Sequence, residues 1–201
     1  CRNGPRVAGA VARRWERAVT PGEVARAVTP ESAVTGWGAL FASLPNMGPQ
    51  RFLALLRNHP IEHIADVVLG HRPAVGLAAT VLAEPGLRSA WVKALRHASV
   101  EEAAERCRAA GAWVCVWGQP GYPALLADDP LPPPVIFGRG DRSLLDGRRV
   151  AMVGTRNATQ GGRTAARSIA ADLATAGVHV VSGLARGIDG AAHGGVLSAE
   201  G

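Results

Sequence analysis

The chain has 201 residues, 47% hydrophobic and 19% charged, and no apolar stretch in it approaches the ~20 residues that a membrane-spanning helix needs. Its formal charge of +6 favours a polyanionic partner. Every basic residue except Lys93 is arginine, however, a bias that a GC-rich coding sequence also produces. Cys1, Cys107 and Cys115 have neither even count nor C-x-x-C spacing, which argues against a disulfide framework or zinc module and fits a reducing cytosol.

In chain order, residues 1–35 form a basic N-terminal extension, with Arg2, Arg6, Arg13, Arg14, Arg17 and Arg26 among Ala and Val. They read as a solvated charged face or as an arm that touches DNA. A helix start is expected at Thr29-Pro30-Glu31. Residues 36–110 read as a small all-α domain. Within it, Leu40, Phe41 and Leu44 precede the turn Pro45-Asn46-Met47-Gly48-Pro49, and Phe52, Leu53, Leu55 and Leu56 follow at helical spacing. The pattern resembles a helix-hairpin-helix, whose turn and second helix N-terminus meet a DNA phosphate without reading sequence. Arg51 and Arg57 are placed to help, while Asn46 stands where that motif has glycine and tolerates left-handed geometry. The alternative is a helical hairpin that merely packs. Three further apolar stripes follow: Ile64 to Leu69, Val75 to Leu82, and Leu87, Trp91, Val92 and Leu95. Ser99 reads as the cap of the next helix, with Glu101 and Glu102 in its first turn and Gly111 as its stop. His59, His63, His71 and His97 are too scattered to form a metal site.

The last division, residues 111–201, reads as α/β. WVCVW at 113–117 and VIF at 135–137 are strand-like, joined by a turn cluster and the stiff Pro130–Pro134 segment. Asp128 and Asp129 are read as turn residues, and Arg142, Arg148 and Arg149 as a polar link or an extension of the positive surface. The stretch 150–193, VAMVGTRNATQGGRTAARSIAADLATAGVHVVSGLARGIDGAAH, then gives strand, turn, helix, strand, turn and helix start. Val150 to Val153 are a short buried run. Ile169 and Leu173, with Ala165, Ala166 and Ala170, form a narrow stripe expected to face a sheet, and Val178, Val180 and Val181 are the return strand. About 30 residues is one right-handed βαβ unit. Both of its turns leave strand C-termini, so they share one rim, the usual ligand side.

The chemistry lies in those turns. Gly154 is expected to let a ligand approach the backbone; Thr155, Asn157 and Thr159 offer short hydrogen-bonding groups, and Arg156 offers a fork suited to phosphate oxygens. Ser182, Gly183, Arg186 and Gly187 repeat the design in the second turn. Asp189 follows in the first turn of the next helix, with His193 one helical turn later on the same face. Two arginines and two helix N-termini on one rim describe a phosphate site. G-x-G-x-x-G is absent, and no acidic residue ends the second strand to hold a ribose, so no dinucleotide cofactor is expected. A two- or three-strand sheet would leave apolar faces uncovered, which makes a fragment the expected reading.

VGTR at 153–156 and SGLARGIDGAAH at 182–193 resemble the DNA-processing protein A family, DprA or Smf. The likeness runs upstream through Tyr122-Pro123, Leu125-Leu126 and the 132–135 segment to Gly140-Asp141, and so covers residues 118–201. The resemblance implies a Rossmann-like parallel sheet, incomplete at the C-terminus here. It further implies a cytoplasmic, non-catalytic protein that binds single-stranded DNA and loads the RecA recombinase onto it during natural transformation and recombination. It implies Arg156 and Arg186 as the phosphate-gripping residues, with arginine in the second turn where the family often has lysine. A homodimer of the full-length protein is implied as well, with dimer and RecA contacts in the later part of the domain. The competing expectation is a nucleotide-binding or nucleotide-hydrolysing enzyme of the lysine-decarboxylase-like group, with Asp189 and His193 as candidates for chemistry. No nucleophile–base pair, metal cluster or spaced acid pair is visible in the sequence to favour it.

Overall fold

The computed structural model describes residues 30–199. Most of the basic extension, with its six arginines, lies outside the described residues. Packing divides the chain into two compact units, one up to Gly140 and one from Asp141 onward.

The first unit begins with α1 (Pro30–Ala42), which opens at the expected Pro30. The end of the predicted extension is therefore helix, and Val34 packs on the core. Then come α2 (Pro49–Leu56), a 3-10 turn (Ile61–His63), α3 (Ile64–Leu69), α4 (Gly76–Leu82), α5 (Leu87–Leu95) and α6 (Val100–Ala109). The apolar periodicities predicted these helices because each buries that face in one shared core. Phe41, Phe52, Leu55, Ile64, Val67, Val68 and Trp91 are all but fully buried. Trp37 stacks on Phe41 at 5.4 Å between ring centroids, and Phe41 meets Phe52 at 5.8 Å. Trp91 also fixes the hairpin turn, its indole N–H donating to the Pro45 carbonyl at 2.8 Å. Ser99 Oγ accepts from Glu102 N at 3.1 Å, the predicted cap of α6.

β1 (Ala112–Val116) and β2 (Val135–Arg139) pair antiparallel, with Val114 opposite Phe137 and Val116 opposite Val135. Val114, Val116 and Val135 join the helical core. The packing boundary consequently falls at Gly140, after β2, thirty residues beyond the division at 110 that composition suggests. Between the strands lie α7 (Ala124–Ala127) and the proline segment, pinned where Tyr122 Oη donates to the Pro133 carbonyl at 2.7 Å. Asp129 accepts from Leu131 N and is the turn residue expected.

The second unit holds a 3-10 turn (Arg142–Leu145), β3 (Arg149–Ala151), α8 (Gln160–Thr175), β4 (His179–Val181) and α9 (Ile188–Val196). β3 and β4 are parallel, with Arg149 opposite His179 and Ala151 opposite Val181. This is the βαβ unit read from the sequence, and its strands form the Rossmann-like sheet. Three details differ from expectation, the first being that the run expected to be buried is open, with Val150 40% and Val153 73% exposed. β3 ends at Ala151 rather than Val153 because the chain peels off toward the first turn, although Met152 N still donates to Val181 O at 2.9 Å. The α8 stripe is narrower than predicted: Ala166 and Ala170 are buried, but Ile169 is 53% exposed. Those alanines serve a close α8–α9 contact, in which Gly195 lies directly on the backbone of Arg167. Arg148 donates to the Ala176 carbonyl at the C-terminus of α8, so it caps a helix instead of extending a free positive surface.

Candidate nucleic-acid interface

Gly154 through Thr159 follow β3, and Ser182 through Gly187 follow β4, so the parallel register puts both turns on one rim. They are fastened together there. Ile188 N donates to Thr155 O at 3.2 Å. Gly187, at φ 88° and ψ −124°, presses its backbone against the carbonyls of Thr155 and Arg156 with no room for a Cβ. The residue after Arg186 thus touches the main chain of Arg156, and the two arginines stand on adjoining loops.

Asp189 closes the junction. It is 4% exposed, accepting from Gly154 N through Oδ1 at 3.2 Å and from Gly183 N through Oδ2 at 3.0 Å. One carboxylate therefore latches the end of β3 to the end of β4. Its position in the first turn of α9 also sets it against the positive end of that helix.

These contacts revise the roles that the sequence suggested for several residues. Gly154 is exposed, but its N–H is not free. That N–H is taken by Asp189, and a Cβ on Gly154 would strike the Ile188 side chain at 2.7 Å. Thr159 is the N-cap of α8, accepting from Gly162 N at 3.1 Å. Thr155 Oγ1 accepts from Asn157 N at 3.1 Å and shapes the turn. Asp189 is buried behind the loops, where it holds their main chains together. Ser182 and His193 meet, with 2.7 Å between Oγ and Nε2, and Ser182 Oγ also accepts from Leu184 N at 3.0 Å. The direction of the Ser182–His193 bond follows the imidazole tautomer: Ser182 Oγ donates when Nε2 carries no proton and accepts when it does. This nucleophile–base contact was not visible in the sequence, where the two residues are eleven positions apart.

On the outer surface remain Arg156, Asn157 and Arg186, all exposed. Neither arginine has an ion pair or side-chain hydrogen bond among the described residues. Arg163, in the second turn of α8, is a further exposed cation that the sequence reading passed over. A basic residue one helical turn after a glycine-rich loop was the available signal. Leu184 stands at the tip of the second turn, 76% exposed and at φ 53°, a left-handed conformation uncommon for a bulky residue.

The hairpin of the first unit is arranged differently. Asn46 adopts the left-handed φ of 57° that replacement of glycine demands. Arg51, however, donates to Glu84 at 2.7 Å and 3.2 Å and to the Asn46 carbonyl at 2.8 Å, which holds the turn. That hydrogen-bonded pairing pulls the Glu84 carboxyl below its ordinary range. Arg57 donates to the Pro130 carbonyl. Both arginines expected beside a DNA phosphate are thus engaged within the unit. Among the described residues no cluster of His, Cys, Asp or Glu could hold a metal ion, and no helix is long and apolar enough to cross a membrane.

Residues 113–201 match the family described as DNA recombination-mediator protein A. DNA processing protein DprA of Bacillus subtilis is 41% identical over 81 residues, 40% of this chain and 27% of that protein. Protein Smf of Escherichia coli is 35% identical over 98 residues, 44% of this chain and 26% of that one. The putative DNA processing protein DprA of Mycobacterium tuberculosis is 56% identical over 54 residues, 27% of this chain and 14% of that protein. The chain therefore matches about a quarter or less of the length of these relatives. The X-ray structure of DNA processing protein A from Streptococcus pneumoniae superposes with a TM-score of 0.57 at 20% identity, covering 84% of this chain and 54% of that one, a likeness of fold. Two glycine turns, a parallel βαβ unit and these matches make the chain similar, over residues 113–201, to the DprA/Smf family.

Proposed function

We propose that this chain is the part of a DprA-type DNA-processing protein that binds single-stranded DNA, and that the complete protein loads RecA onto that strand in transformation and recombination. The observation that carries the reading is the pair of exposed, unpartnered arginines, Arg156 and Arg186, on two turns fastened to one rim of a parallel sheet. Guanidinium groups so placed reach successive phosphates of a flexible strand without reading bases. Asn157 and the free N–H groups opening α8 add donors on the same side. The protein acts as a binder in the cytosol, and the homodimer and the RecA contact are proposed for the complete protein.

The test is the salt dependence of oligonucleotide affinity. Each phosphate neutralised on a single strand contributes about 0.7 to the slope of log affinity against log salt. Replacing both Arg156 and Arg186 by alanine should lower the slope by about 1.4. From 50 to 200 mM salt the wild type should then lose about sevenfold more affinity than the double variant. Equal affinity and equal slope for the two proteins would reject the assignment.

One observation favours the competing enzyme reading, the 2.7 Å contact of Ser182 Oγ with His193 Nε2, which is the geometry of an activated nucleophile. Release of free base from a nucleoside monophosphate, abolished by Ser182→Ala, would establish it in place of the DNA-binding proposal.

A further inference from the structure

In dinucleotide-binding sheets the main-chain N–H groups at the strand C-termini receive the ligand's phosphate. Here the corresponding donors, Gly154 N after β3 and Gly183 N after β4, both point at Asp189, at 3.2 and 3.0 Å. The carboxylate is buried, with 4% exposure, and among the described residues no buried side-chain polar atom is left without a partner. Ile188 packs on Gly154, and Asp189 Oδ2 lies 3.2 Å from where a Cβ on Gly183 would stand.

We infer that Asp189 is a built-in anion that sets the specificity of this rim. Its carboxylate occupies the two donors that a terminal phosphate would need, and its charge repels a dianion from that point. What remains outside is a surface of separated cations, Arg156, Arg186 and Arg163. That surface suits the singly charged, regularly spaced diesters of a polynucleotide and not the terminal phosphate of a free nucleotide. The inference rests on the DNA-binding reading and adds to it a residue that never touches the strand: Asp189 excludes mononucleotides by position and charge.

The test uses the full chain and two probes, inorganic phosphate and thymidine monophosphate, beside a labelled oligothymidylate. In a nitrogen-15 amide titration of the wild type, phosphate should leave the Gly154 and Gly183 signals unmoved, and thymidine monophosphate should compete poorly with the oligonucleotide. Asp189→Asn keeps the shape and removes the charge. In that variant phosphate should shift the Gly154 or Gly183 amide, and selectivity for oligonucleotide over monophosphate should fall by about tenfold or more. Phosphate-induced shifts of both amides in the wild type would overturn the inference. So would a folded Asp189→Asn protein with wild-type selectivity. Should the variant fail to fold, the wild-type titration decides alone. A wild type that binds no oligonucleotide sinks the DNA-binding reading, while its phosphate titration still decides for or against Asp189.

Discussion

Gly187→Ala probes the junction on which the site depends. At φ 88° and ψ −124° an alanine meets backbone strain of about 1–3 kcal/mol. Its Cβ would also overlap the Thr155 carbonyl oxygen and stand 2.7 Å from that of Arg156. Backbone atoms cannot rotate away as a side-chain tip can, so the two turns must separate. Separation stretches the bond from Ile188 N to Thr155 O and loosens the hold of Asp189 on Gly154 and Gly183. Hydrogen bonds to a charged group contribute about 1.5–3 kcal/mol net, so even partial loss added to the strain puts the total at about 2 kcal/mol or more. For a unit of this size that lowers the melting temperature by roughly 8 °C or more. Urea and thermal unfolding of the full chain measure it, with oligonucleotide affinity followed by anisotropy. The control is Gly161→Ala in the first turn of α8, where an added Cβ meets nothing within 4 Å and where a neutral or slightly stabilising effect is expected. A Gly187→Ala protein as stable as that control, with unchanged affinity, would refute the fastening of the two turns.

Other outcomes follow from the same geometry. Ser99→Ala and Thr159→Ala each remove a helix cap and should each cost about 1 kcal/mol, adding in the double variant because the caps lie in separate units; denaturant titration checks both numbers. Trp91→Ala should cost about 3–5 kcal/mol in the same assay, since it empties a fully buried site and leaves the Pro45 carbonyl without its donor. Desolvation by burial, followed by the nearby His63, lowers the pKa of His59 from its usual 6.5. The folded state thus binds fewer protons there than the unfolded chain, so His59 contributes stability above pH 6.5 that is lost as pH falls through its lower folded value. His59→Gln should flatten that part of the stability–pH curve, and an unchanged curve would dismiss the contribution.

Local pattern carries far in this chain where the signal is periodic or chemical. The apolar stripes from Leu40 to Leu95, the Ser99 cap, the left-handed Asn46 and the strand–turn–helix rhythm of 150–193 are each fixed by residues a few positions apart. Neighbours in sequence must share a helix face or a strand face whatever else the chain does, so Arg156 and Arg186 could be singled out from the residues alone. Tertiary structure decided which polar groups stay free to meet a ligand. Nothing local says that Asp189 will reach back 35 residues to Gly154, that Arg51 will pair with Glu84 33 residues away, or that Ser182 will meet His193. A hydrogen bond has no preference for short sequence separation once packing has brought its partners together. The residue types therefore suggested a phosphate site, but their division into cations at the surface and a carboxylate latch beneath belongs to the fold.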